Sequence, residues 1–370
     1  MRQVKREEAM KRATIRVTAA AAISAAVVAF GPAQAQDVSA ILQYKGNDRT
    51  EKLIAGAKKE GKLVFYSAMI ANQAIRPLVA GFMKKYPFVK TTYWRAKSED
   101  IVTKTLAEAK AKNVVGDVIE GTGVGELAAQ ANIVAKFHSP ELKAYPEKYI
   151  DKQGQWAATR LSYYGMAFNT KMLPPGKAPK SFEDLLKPEF KGKISWRIGS
   201  ASGTPLFLTN LRVAWGEDKA MAYFKKLAGQ KMINFGSGSA RTLVNRVVAG
   251  EYPIAVQIFA HHPLISKAKG APVDARVFTP VATTAATLVL PTGTKHPHAA
   301  MLFVDYILSK EGQSILRKAN YIPVHPDVPT SPKIAGVVPK KGVAEENFIS
   351  PEQLLKYTES SQKIYETMFR

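Results

Sequence analysis

Lys193-Ile194-Ser195-Trp196-Arg197-Ile198-Gly199-Ser200-Ala201-Ser202-Gly203-Thr204-Pro205-Leu206-Phe207 reads as a short apolar strand, a turn of small polar residues and the start of a helix. Thr204 is the expected N-cap, and Pro205 stands where a first helical residue wants a fixed φ and needs no N–H. Unpaired N–H groups and the positive end of the helix dipole would then face whatever lies above the strand, which favours an anion. The motif recurs further on. Ile233-Asn234-Phe235 enters Gly236-Ser237-Gly238-Ser239-Ala240-Arg241, and a helix follows with Leu243, Val244, Val247 and Val248 on one face. Two such turns offer converging N–H groups, with Arg241 able to fork onto two oxygens of one anion.

Working outward, the same strand–turn–helix rhythm organises the rest of the chain. Lys62 to Tyr66 is a buried strand after a charged helix ending at Gly61. Val89 to Tyr93 leads to a helix that Ser98 is expected to cap, and Gly116 to Glu120 leads through Gly121-Thr122-Gly123 into Leu127. Alternating strands and helices argue for an α/β fold with largely parallel sheets covered on both faces. Ligands of such sheets gather at the carboxyl ends of the strands, which makes Ser67, Arg95, Glu120 and Thr122 neighbours. Ile254 to Ile258 delivers Phe259-Ala260-His261-His262 in the same way.

Gln155 to Tyr164 and Met166 to Asn169 read as two extended runs before a proline-punctuated passage, and 273–279 and 285–291 as extended runs that carry the chain back. Helices over 297–308, 310–318 and 352–368 would complete the first lobe. The expected division is therefore residues 36–165 with 280–370 in one lobe and 166–279 in the other, joined by two crossover strands.

Residues 1–35 are set aside as a signal peptide. Arg2, Lys5, Arg6, Lys11, Arg12 and Arg16 precede an apolar run from Val17 to Phe30, and Ala33-Gln34-Ala35 predicts cleavage before Gln36; Met10 is an alternative start. Export makes the absence of cysteine informative: it fits a large periplasmic domain held by its core, and it excludes thiol nucleophiles and cysteine metal sites. Loss of six basic and two acidic residues lowers the formal charge from +23 to +19. The lysines are scattered along helices with no basic run and no nucleic-acid motif, so the charge points to anionic ligands rather than nucleic acid. No Gly-x-Ser-x-Gly elbow or His-Glu-x-x-His pair is present, which argues against a hydrolase.

The chain resembles the extracellular solute-binding proteins of bacterial ATP-driven (ABC) importers, in particular the type II group that includes ferric-ion, sugar-phosphate and aminoethylphosphonate binders. The match rests on 61–67 (Gly-Lys-Leu-Val-Phe-Tyr-Ser), Gly116-Asp117-Val118, Phe168-Asn169-Thr170, 181–185 with 190–194, 248–254, 296–300 and 308–313, and covers roughly residues 50 to 325. It implies a two-lobed receptor, periplasmic, monomeric, non-enzymatic and without cofactor, which closes on its ligand and presents it to a membrane permease. A ligand-presenting receptor for a sensor kinase would have the same fold. Ferric-binding members carry adjacent tyrosines where this chain has Phe259, Ala260, His261 and His262, and hard ferric ion prefers oxygen ligands.

The expected ligand is thus a small organic anion, phosphorylated, phosphonate or carboxylate. Its expected contacts are Ser200, Ser202, Gly203, Thr204, Ser239, Arg241, Gln257 and His261 from one lobe and Ser67, Arg95, Glu120, Thr122 and Tyr163 from the other. The alternative is a metal carrier using His261, His262 and Glu120.

Overall fold

The structure, a computed structural model, describes residues 38–130, 132–198, 203–236 and 238–369. The signal segment, the expected cleavage point before Gln36, and Ser200, Ser202 and Ser237 lie outside the described residues. Among the described residues no helix is long and apolar enough to cross a membrane.

Among the described residues eleven strands run in chain order: β1 (Lys62–Ser67), β2 (Lys90–Arg95), β3 (Val118–Thr122), β4 (Ala157–Asn169), β5 (Ile194–Trp196), β6 (Ile233–Asn234), β7 (Ile254–Phe259), β8 (Val273–Arg276), β9 (Val281–Val289), β10 (Ile322–Pro323) and β11 (Glu346–Phe348). They are ordered β2-β1-β3-β9-β4-β7-β5-β6, with β8 and β10 on β4 and β11 on β9. Gly61, at φ 67°, closes the helix Arg49–Glu60 and turns the chain into β1. Parallel pairing of β1 with β2 and β3 sets Ser67 beside both Arg95 and Glu120, so the expected row at the strand ends is formed.

The flanks are parallel, as expected, but the centre is not. The two extended runs are one strand, β4, whose first half pairs antiparallel with β9 and whose second half pairs antiparallel with β7 and β8. A chain that crosses between lobes and returns beside itself must run antiparallel there. β4 is buried throughout except at Gly165, since both of its faces are covered. The register shifts between Gly165 and Ala167, and a Cβ at Gly165 would collide with the Arg276 carbonyl oxygen.

Each lobe has its own core. In the first, Phe303 of the helix Pro297–Leu308 stacks on Phe65 and Phe82, with ring centroids 4.8 and 5.0 Å away. Each such fully buried side chain stabilises by roughly 1.5–3 kcal/mol. In the second, Phe168, Trp196, Phe207, Phe224 and Leu227 pack together.

The tail helix departs from expectation. Pro351–Met368 begins with a capping box at Ser350 and Gln353, and then lies along the helix Thr204–Trp215 of the second lobe. Tyr365 and Phe369 stack on Trp196, and Ser361 pairs with Thr209 at 2.8 Å. Tyr365, with the partly buried Ile364, Met368 and Phe369, joins the second core, while Leu354 packs with Tyr164, Leu206, Ala282 and Ile349, so the tail does not complete the first core.

Candidate functional site

A cavity of about 460 Å³ opens at the carboxyl ends of the strands of both lobes. From the first lobe come Arg95 at the end of β2, Lys97 and Glu99 at the start of the helix Ser98–Lys110, Thr122 at the end of β3, Arg160 in β4, and Tyr321 just before β10. The second lobe contributes Arg197 after β5, Ser239 and Arg241 at the start of the helix Ala240–Ala249, Phe259 at the end of β7, then His261, His262 and Lys269. Among the described residues the lining thus carries six cationic side chains and one carboxylate, Glu99. A lining dominated by cations gives the cleft a positive potential that favours an anionic occupant.

The two histidines add no charge. Burial, reinforced by Arg160 and Arg241, pushes His261 down to about 3, and burial beside His261 holds His262 well below the ordinary histidine value. Both imidazoles are therefore neutral at any pH near 7, and each has a buried Nδ1 with no hydrogen-bond partner among the described residues. Arg241 is half-buried, and burial lowers its pKa; its Nη1 donates to the His262 carbonyl at 3.0 Å, which ties the arginine to the histidine segment. Ser239 caps its helix, accepting from the Thr242 N–H at 3.1 Å. Arg95 donates through Nε to the Met69 carbonyl at 3.3 Å. The Arg160 guanidinium lies 4.9 Å over the Tyr321 ring.

A model of the bacterial extracellular solute-binding proteins matches residues 115–340. The chain belongs to that family. A Haemophilus influenzae protein of uncharacterised function is 28% identical over 71% of this chain and 77% of its own length. The Fe(3+)-binding periplasmic protein of Serratia marcescens is 24% identical over 71% of this chain and 78% of its own. A solved structure of the periplasmic binding protein AfuA from Actinobacillus pleuropneumoniae, with fructose 6-phosphate bound, has 24% identity and a TM-score of 0.71; it covers 84% of this chain and 99% of that one. The fold is that of the type II periplasmic binding proteins.

In this solute-binding protein, Arg95, Thr122, Ser239, Arg241 and His261 of the expected contacts line the cleft, as does His262. Others do not. Glu120 is fully buried beneath it, accepting from Ser67 Oγ at 2.6 Å and Thr159 Oγ1 at 3.1 Å, with Arg160 Nε 3.3 Å away. Ser67 is consumed in that contact. Glu120 is thus not available to a metal beside the histidines, and no cluster of three or more metal-ligating side chains occurs among the described residues.

Tyr163 packs in the first core, where burial drives its phenol pKa up. Gln257 stands at φ 56° opposite the register shift in β4 and borders not the cleft but a separate space of about 20 Å³ with Tyr164 and Asn210. Thr204 is not the N-cap but the first helical residue after Gly203, and its hydroxyl donates to the Arg197 carbonyl at 2.8 Å. Ser98 likewise opens its helix after an extended Lys97 and makes no capping bond.

Arg160, Arg197, Lys97, Lys269 and Tyr321 were missed. Arg197 lies in the decisive stretch itself, and its place directly after an apolar strand was the available signal. Arg160 sits inside an unbroken buried run and gives none.

Proposed function

We propose that this protein captures a small organic anion, phosphorylated, phosphonate or carboxylate, in the cleft between its lobes and presents it to an inner-membrane permease, without catalysis. The observation that carries this reading is the charge of the lining: six cations, one carboxylate and two neutral histidines. Arginine forks suit the paired oxygens of phosphate or carboxylate. Hinge closure would follow β4 and β9 where the chain changes lobes, with boundaries near 165 and 280, in a monomer exported to the periplasm and cleaved before Gln36. The ferric-binding relative suggests metal as the second reading. The tyrosine pair of such proteins is replaced here, and the histidines stand among arginines, which repel a cation.

A thermal-shift panel on the chain from Gln36 tests this, with phosphate, sugar phosphates, phosphonates, dicarboxylates and ferric ion with and without citrate. A ligand at a hundredfold its Kd adds about 2.7 kcal/mol, a shift of several degrees. One anion class should stabilise, and Arg241→Ala should weaken its binding by about 1.5 kcal/mol or more. A shift with ferric ion alone would sink the anion reading, and an unchanged affinity would remove Arg241 from the site.

A further inference from the structure

We propose that Glu120 is a positioning residue: from beneath the cleft it holds the Arg160 guanidinium as a preformed anchor for the ligand anion, and it acts on binding only through Arg160. The inference rests on the anion reading above.

Arg160 is fixed on every side but one. Its backbone lies between β9 and β10, opposite Ala286 and Pro323, five residues before the register shift at which β4 passes into the second lobe. It therefore moves with the first lobe when the hinge works. Its Nε lies against Glu120 Oε1, an ion pair in which the N–H is not aligned on the oxygen, and one face of the guanidinium rests on Tyr321.

Tyr321 is itself held, its hydroxyl accepting from the Ile70 N–H at 3.0 Å. Glu120 is set by Ser67 and Thr159, so neither partner of the ion pair is free to turn away. The terminal nitrogens of Arg160 make no hydrogen bond among the described residues, and Arg160 borders the cleft. An arginine clamped on folding has already lost the side-chain freedom that a mobile one loses on binding. Those nitrogens are what remains for an anion.

The sign of the effect separates positioning from charge. Replacing Glu120 with glutamine makes the cleft one charge more positive, so charge alone would tighten anion binding. Loss of the anchor weakens it.

The experiment titrates inorganic phosphate and fructose 6-phosphate by calorimetry into the wild type, Glu120→Gln, Arg160→Gln and the double variant. E120Q is expected to weaken binding about tenfold in the wild-type background and less than about twofold in the R160Q background, the pattern of two residues acting as a unit. A merely structural role would weaken both backgrounds alike. Equal loss in both, no loss, or tighter binding by E120Q overturns the inference and leaves the anion reading standing. Should the wild type bind neither, the same four proteins are titrated with the phosphonate or dicarboxylate that stabilises the wild type in the thermal panel, and a wild type that binds no anion of the panel overturns both. Should E120Q not fold, Ser67→Ala removes a Glu120 donor instead, and its effect should likewise vanish in the R160Q background; persistence there overturns the inference.

Discussion

His261 and His262 are the residues at which burial has its clearest consequence. Both folded pKa values lie below the ordinary histidine value, that of His261 at about 3, so the unfolded chain binds more protons than the folded one as pH falls below about 6.5, for His261 down to about pH 3, with His262 acting in the same direction. Stability therefore falls as pH drops through that window, by up to about 1.4 kcal/mol per pH unit for each histidine. Urea midpoints measured at pH 7, 6, 5 and 4.5 should show it. The variant H261Q/H262Q should have a markedly shallower slope than the wild type, since the carboxylates and the four other histidines titrate in both and only these two buried imidazoles are lost. Equal slopes would mean that the imidazoles are charged in the fold. A neutral pair also fits an anion site in a plain way: it lets the arginines supply the charge while the rings supply an apolar and weakly polar wall.

At the scale of elements, the crossing strand β4 decides how the lobes are joined, and Gly165 is its tightest point. Gly165→Ala should cost about 1–3 kcal/mol, because the added methyl meets the Arg276 backbone carbonyl, which has no side-chain freedom with which to yield. Thermal midpoints of G165A and of a control at the open Gly176 test this, and equal midpoints would show that the crossing relaxes at no cost.

Much of the element pattern was legible because it is local. The helices Pro297–Leu308 and Lys310–Lys318 carry their own punctuation, with Ser309 ending one and capping the other through the Gly312 N–H. Partner choice was not legible. Nothing local distinguishes a crossing strand paired antiparallel on both sides from two shorter parallel ones, and the tail helix finds its partner 150 residues back in the sequence. The cleft divides in the same way. Arg95 and Thr122 follow from their places at strand ends, whereas Arg160 depends on a carboxylate 40 residues away, and Gln257 is turned aside by a backbone irregularity that only the pairing creates.

For the molecule as a whole, the excess of basic residues becomes a statement about rates. The formal charge of +23, which becomes +19 on the expected loss of residues 1–35, accompanies a cleft whose lining is itself cationic. Such a field raises the local concentration of small anions and speeds encounter, but it acts across solvent and is screened within about 8 Å at 0.15 M salt. On the proposed closure the contacts to the anion would be short and partly desolvated, and salt would reach them far less. Association and dissociation should therefore respond differently. In stopped-flow fluorescence with whichever anion stabilises the protein, raising NaCl from about 0.05 to 0.5 M should slow association by roughly tenfold while dissociation changes by less than about twofold. If dissociation carried the salt dependence instead, the arginines would be binding through solvent-exposed contacts, and a closed, desolvated cleft would have to be abandoned.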